Sequence, residues 1–191
     1  MPPFAAWSRK KIRALPESIA AGTVITASAL IRQDENILLV YQQRKEDPYP
    51  TWVVPGGRLE DGESLAHGLV REVREETGLI IDRVGKLVSV AHQLDKRKAS
   101  QAVSFVFETG EWAGIVAPAD PEGVVRAAQF FPVAEAIVRM GRNSRRAMFE
   151  PVVSYLSGNH PAGTVWLYSE HDDGQKLLAT LPEQPEGSFQ Q

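Results

Sequence analysis

Small apolar and β-branched residues fill residues 23–31 (TVITASALI), and a second apolar run occupies 37–41 (ILLVY), with Gln33-Asp34-Glu35-Asn36 between them. The pattern predicts two strands folded back on each other as a hairpin. A polar, proline-bearing stretch follows at 42–50, then a short extended segment at 52–54 that Pro55-Gly56-Gly57 ends. Residues 64–77 read as a helix. Glu60, Asp61 and Glu63 put negative charge near its positive end, and Gly78 offers a C-terminal stop. Residues 79–91 and 102–107 alternate as strands, 116–123 is a loop rich in Pro, Ala and Asp, 128–131 is a short strand, and 133–140 and 145–156 are helices. Near the end, Asp172-Asp173-Gly174 between the runs 164–169 and 175–181 signals a second hairpin.

Hairpins with helices interspersed predict an α+β chain with antiparallel pairing rather than a doubly wound parallel sheet. Residues 1–21 read as an N-terminal arm, in which Trp7, Ile12 and Leu15 could pack on a second subunit of a homodimer. The main domain is expected over 22–158, and a C-terminal hairpin with a flexible tail over 159–191.

The helix at 64–77 breaks its own pattern. At about 100° per residue, Leu65, Leu69 and Val73 fall on one stripe, and Glu76 projects between Leu65 and Leu69. Glu72 sits at the edge of that stripe and Glu75 lies about 60° further round. A carboxylate inside an apolar stripe is costly without a partner, and three glutamates at spacings of three and four repel one another. A hard divalent cation bound by carboxylate oxygens would resolve both problems. The glycine-rich loop ahead of the helix lets backbone approach such an ion closely.

Composition narrows the chemistry. The net charge of -3 argues against bulk nucleic-acid binding, while leaving room for a small nucleotide in a local basic pocket. The absence of cysteine excludes disulfides, thiolate nucleophiles and zinc–thiolate sites. It also suits a reducing cytosol. No run is long and apolar enough to span a bilayer, and the N-terminus is a poor signal peptide, so a cytoplasmic protein without a membrane partner is expected.

Gly57, five residues, Glu63, seven residues, Arg71-Glu72-Val73, one residue, Glu75-Glu76, one residue, then Gly78-Leu79: this spacing resembles the Nudix box at every defining position. Outside the box, the resemblance is a pattern of elements over roughly 22–156. It implies the Nudix fold, a mixed β-sheet sandwiched between α-helices. It implies that Glu72, Glu75 and Glu76 hold magnesium, or manganese in its place, with the Gly56 carbonyl as a further ligand. Arg71 would orient the glutamates by pairing with Glu63. The implied activity is hydrolysis of a phosphoanhydride in a nucleoside diphosphate linked to another group, such as a nucleoside triphosphate or a sugar nucleotide. The alternative is a Nudix-type module that senses a nucleotide without cutting it. Such relatives typically lose box glutamates, and all three stand here.

Glu72, Arg71 and Glu63 are therefore the catalytic candidates, with Glu72 shared between metal and base duty. Glu108, Glu111, Asp120 and Glu122 lie where some relatives carry the base on a later loop, and the sequence does not choose among them. Arg44 and Arg58, with Lys45, are candidates to meet phosphate. Trp52 could stack on a base or pack in the core. His92 could act as an acid or base, or simply end a strand. Lys96-Arg97-Lys98 could close over phosphates or form a solvated turn.

Overall fold

The strands assemble between two apolar layers, one on each face of a mixed sheet. A computed structural model describes residues 22–44 and 49–182. The strands are β1 (Thr23–Leu30), β2 (Arg32–Gln33), β3 (Asn36–Gln42), β4 (Thr51–Val53), β5 (Gly56–Arg58), β6 (Ile80–Ile81), β7 (Val84–Asp95), β8 (Ser100–Thr109), β9 (Trp112–Ala113), β10 (Val125–Pro132), β11 (Thr164–His171) and β12 (Gly174–Leu181). The helices are α1 (Leu65–Thr77), α2 (Val133–Met140) and α3 (Arg146–Leu156). The arm at 1–21, Lys45, and the tail from residue 183 lie outside the described residues.

The largest sheet runs β12-β11-β7-β8-β1-β5. Strand β1 lies parallel to β8, and β11 parallel to β7, while the other neighbours are antiparallel. A second sheet runs β10-β3-β2, with β4 also paired to β3, and β6 pairs with β9.

The long strands do not form the first hairpin expected from the sequence. The chain leaves the large sheet at Ile31, and only Arg32 and Gln33 fold back, against Ile37 and Asn36. Strand β3 pairs instead with β10. The reason is that β1 and β3 each carry buried apolar residues on both faces, so each must be covered from two sides. Ala27, Ala29 and Ile31, with Leu38, meet Leu69 and Val73 of α1. Their alternates Leu30, Ile37 and Leu39 face the opposite way, onto Ala136 and Met140 of α2 and Val152 of α3. Helices thus cover both faces, and each fully buried Leu or Ile contributes about 1.5–3 kcal/mol to holding them there.

Two further expectations change. Residues 79–91 are not one strand, because the chain turns at Asp82 and Arg83 between β6 and β7. The extended segment does end before Pro55, where the chain bends, but Gly56 and Gly57, expected only in that break, start a new strand, β5, which pairs with Ala27 and Ser28. The C-terminal hairpin forms at Asp172-Asp173 and adds two strands to the large sheet. It also secures α3: Gln175 accepts from the Ala147 N–H at 2.9 Å and donates to Gln93 at 2.7 Å. Among the described residues, no helix is long and apolar enough to cross a membrane.

Candidate functional site

Helix α1 starts where Ser64 Oγ accepts the His67 N–H at 3.3 Å, and stops at Gly78, whose left-handed backbone turns its N–H onto the Arg74 carbonyl at 2.9 Å. The loop before β10 is fastened to this end. Ala117 and Ala119 donate to the carbonyls of Thr77 and Glu75, each at 2.9 Å. Asp120 closes the loop on itself: its Oδ2 accepts from Val124 and Val125 at 2.7 and 2.8 Å, and its Oδ1 accepts from Glu122 at 3.0 Å. These contacts fix the loop's acidic residues beside those of the helix.

Between them lies a cleft of about 730 Å³. Glu72, Glu75 and Glu76 line it from α1, Asp120 and Glu122 from the loop, and Arg44 and Arg58 from the strand side. Glu76 is only 6% exposed, as its place in the apolar stripe predicts. One of its oxygens accepts the Gly56 N–H at 2.7 Å. Burial pushes its carboxyl up to about 8; the Gly56 N–H and Arg44 pull against this, and the nearby charges of Glu72 and Asp120 add to it.

Arg71 gathers the other carboxylates. Its Nε and Nη2 form a two-pronged contact with Glu63 at 3.0 and 2.9 Å, and its Nη1 donates to Glu72 at 2.9 Å and Glu75 at 3.3 Å. Nη2 also reaches the Arg58 carbonyl at 3.1 Å, tying helix to loop. The Arg71 hydrogen bonds hold the Glu63 carboxyl down to about 2, with help from the Glu60 N–H. Glu72 moves the other way: burial raises it, Arg71 opposes, and Glu75 and Glu122 raise it further. Glu72 lies so close to the loop that a side chain on Gly57 would place Cβ 2.5 Å from its carboxyl.

Among the described residues, no three His, Asp or Glu side chains converge on one point as metal ligands. Arg71 draws Glu72 and Glu75 one way, while the Gly56 N–H holds Glu76 another. The donor set nevertheless fits a hard divalent cation. Carboxylate oxygens dominate one cleft, and the buried Glu76, raised by burial and its acidic neighbours, is the group a cation would relieve.

The profile of the NUDIX domain family matches residues 22–151. The chain belongs to the Nudix hydrolase family. An ADP-ribose pyrophosphatase of Methanocaldococcus jannaschii is 36% identical over 84 residues, covering 44% of this chain and 48% of that protein. An 8-oxo-dGDP phosphatase of Mus musculus is 38% identical over 93 residues, 49% of this chain and 26% of the relative. The chain thus spans about half or less of the length of these curated relatives. The MutT protein of Bacillus halodurans shares the fold, with a TM-score of 0.61 at 22% identity over 84% of this chain and 99% of that one. The mixed sheet with helices on both faces is the Nudix fold, and Nudix hydrolases generally use divalent metals.

The structure brings Arg71, Glu72, Glu75, Glu76 and both arginine candidates, Arg44 and Arg58, to line this cleft, while Glu63 reaches it through Arg71 and Gly56 borders an adjoining recess with its N–H on Glu76. It separates the later acidic residues. Asp120 and Glu122 line the cleft, whereas Glu108 lies with Lys86 and Tyr155, and Glu111 borders a different recess. Trp52 packs in the core, edge-on to Phe131 at 4.8 Å and under Arg139. His92 bonds Gln101 at 3.0 Å. The basic turn at Lys96-Arg97-Lys98 does not border the cleft, because Asp95 and Asp172 hold Arg97, and Asp95 also pairs with Lys98. Sequence reasoning missed Gly68. A Cβ there would lie 2.9 Å from Glu63 Oε2 and 3.2 Å from Leu59 Cγ. A glycine inside an otherwise well-capped helix was its visible signal.

Proposed function

We propose that the chain hydrolyses a phosphoanhydride in a nucleoside diphosphate linked to another group, such as a nucleoside triphosphate or sugar nucleotide. The carrying observation is the buried Glu76 carboxyl in a cleft lined by six more acidic side chains. Glu72, Glu75 and Glu76, with the Gly56 carbonyl, are the proposed magnesium ligands, and manganese can substitute. The cation would neutralise pyrophosphate charge and lower the pKa of an attacking water. Arg71, clasped by Glu63, positions Glu72 and Glu75. Glu72 takes the proton of the water: Arg71 holds its Oε1, leaving Oε2 for this, and burial raises its basicity. Glu122, on the facing loop, adds negative charge that sharpens this basicity. Arg44 and Arg58 meet the substrate phosphates from the strand side.

The test is a magnesium-dependent screen over nucleoside triphosphates, ADP-ribose, sugar nucleotides, dinucleotide polyphosphates, coenzyme A and capped RNA, with products identified. At least one should be cut at a phosphoanhydride by wild type, and Glu76→Gln should lose most of that turnover at limiting magnesium. Full turnover in Glu76→Gln would reject the metal assignment, and no cleavage of any substrate would reject the function.

A further inference from the structure

Helix α1 packs on the large sheet mainly at β1 and β5. Beyond it the same face continues across β8, β7, β11 and β12, and the strand register gives its content. Phe105, Val90 and Val165 stand in one row with the buried Ala27, and Val103, His92 and Leu167 stand in the next with Ile25. Leu181 and Ala179 carry the two rows onto β12. Apart from Ala27, none of these side chains belongs to the buried apolar clusters among the described residues. Ile25 and Leu181 are 43% and 44% exposed. The alternate residues behave differently. On the α3 face they floor a recess of about 220 Å³, where Gln42 Oε1 and Ser89 Oγ have no hydrogen-bond partner among the described residues.

A sheet face left to water is ordinarily polar, and a contiguous apolar one marks a docking surface. The chain itself delivers a segment to this surface. Gly22 is fixed at its corner, where the Gly22 carbonyl accepts the Gln101 N–H at 3.3 Å. Thr23 then opens β1 in the row next to Ile25, bordered by hydrogen bonds from Gln101 to Thr23 and between Gln101 and His92, each of 3.0 Å. Twelve residues lie between Pro3 and Pro16. At about 100° per residue, Phe4, Trp7, Ile12 and Leu15 fall within an arc of roughly 140°. Arg9, Lys10 and Arg13 fall outside it. Lys11 lies within it, where a lysine stem covers apolar surface and leaves its ammonium in water.

We propose that residues 4–15 form an amphipathic helix that docks on this open face of their own chain. The prolines set its limits, since proline suits a helix start and breaks a helix interior. The dimensions agree. Twelve helical residues are about 18 Å long, and the four strand spacings from β1 to β12 amount to about 19 Å. Residues 16–21, extended, reach about 20 Å, enough to lead from Gly22 to any part of the face. The apolar stripe and the apolar face then bury each other. The tether holds them at an effective concentration on the order of millimolar, an advantage that a second copy of the chain lacks. Trp7, Ile12 and Leu15 thus turn onto their own sheet and not onto a second subunit.

The test uses the full chain. It contains no cysteine, so a nitroxide attached at Lys10→Cys, on the side of the helix away from the sheet, is a unique paramagnetic label. With isotope-labelled methyl groups in the same chain, the NMR signals of Val90, Val103, Val165 and Leu167 should lose most of their intensity relative to the reduced label. Those of Met140 and Val152, beyond the sheet, should keep most of theirs. A second sample mixes nitroxide-bearing chains at natural isotopic abundance with isotope-labelled chains that carry no nitroxide, and here the same four signals should be unchanged. Losses in the mixture would put a second copy on the face and overturn the proposal, as would intact signals in both samples. Adding Ile12→Ser and Leu15→Ser to the nitroxide-bearing, isotope-labelled chain should restore the four signals several-fold. Undiminished broadening in that variant would also overturn the proposal, because the apolar stripe would not be what holds the segment.

Discussion

On the α1 side of the large sheet, seven acidic side chains line one cleft, and Arg71 hydrogen-bonds two of them together with Glu63. On the α3 side, a smaller recess is lined mainly by small and apolar residues and leaves two buried polar atoms unpaired. The difference separates two kinds of force. Charge acts over distance and tolerates loose placement, so the cleft can hold its glutamates off one another with an arginine and rearrange around a cation. A hydrogen bond acts only at contact and at a narrow angle, so the recess can discriminate between ligands that carry the same charge. On the proposed reading, the first region supplies reactivity.

The strongest way to break that division is Glu72→Gln. It removes the proposed base and one carboxylate ligand while keeping the shape that rests against Gly57. Turnover should fall by a factor on the order of 10²–10⁴. Steady-state kinetics on the best substrate of the screen read the effect. Unchanged turnover would remove Glu72 as the base.

A smaller effect concerns stability without metal. The folded state holds a proton on Glu76 with a pKa of about 8, against 4.5 for the free side chain. Between those values the folded form binds more protons than the unfolded form, so rising pH weakens the fold across that window. Glu63 works in the opposite sense, but its window lies between about 2 and 4.5, so above pH 5 its contribution is constant. Urea unfolding in chelator should therefore give lower stability at pH 8.5 than at pH 5.5, and Glu76→Gln should flatten that difference. Magnesium should restore more stability at the higher pH, where the carboxylates are ionised. An equally steep loss in Glu76→Gln would assign the pH dependence to another group.

The two regions were unequally legible in the sequence. Helix α1 carries its information locally: Ser64, the stripe of Leu65, Leu69 and Val73, the intruding Glu76 and the stop at Gly78 lie within one short segment. Helix α2 was equally plain, its observed bounds Val133–Met140 matching the periodic run. The recess has no such segment. Gln42 and Ser89 stand on strands from different sheets, and its floor depends on β1 lying parallel to β8, a pairing no local pattern encodes. The same non-local pairing undid the expected first hairpin. Residues 23–31 and 37–41 each look like hairpin strands, but both bury apolar residues on two faces, and their partners come from β8 and β10.

The smallest expected effect tests how finely the charged cleft is set. Gly68→Ala should be neutral or mildly stabilising by helix propensity alone, since glycine in a helix interior costs about 0.5–1 kcal/mol relative to alanine. The new Cβ, however, would stand 2.9 Å from Glu63 Oε2, close enough to force a shift. The carboxylate is not free to yield without loss, because it accepts from both Nε and Nη2 of Arg71 and from the Glu60 N–H. If it moves, Arg71 loses its two-pronged partner and with it the orientation that places Glu72 and Glu75. Stability and turnover should then part company: the unfolding free energy should change by no more than about 1 kcal/mol in either direction, while kcat falls several-fold and more magnesium is needed for half-maximal rate. Restoring room with a second substitution, Leu59→Ala, should not rescue turnover, since the crowded atom is the carboxylate oxygen and not the leucine alone. Unchanged kcat and magnesium dependence in Gly68→Ala would mean that the clasp between Glu63 and Arg71 holds the helix to its loop without setting the glutamates.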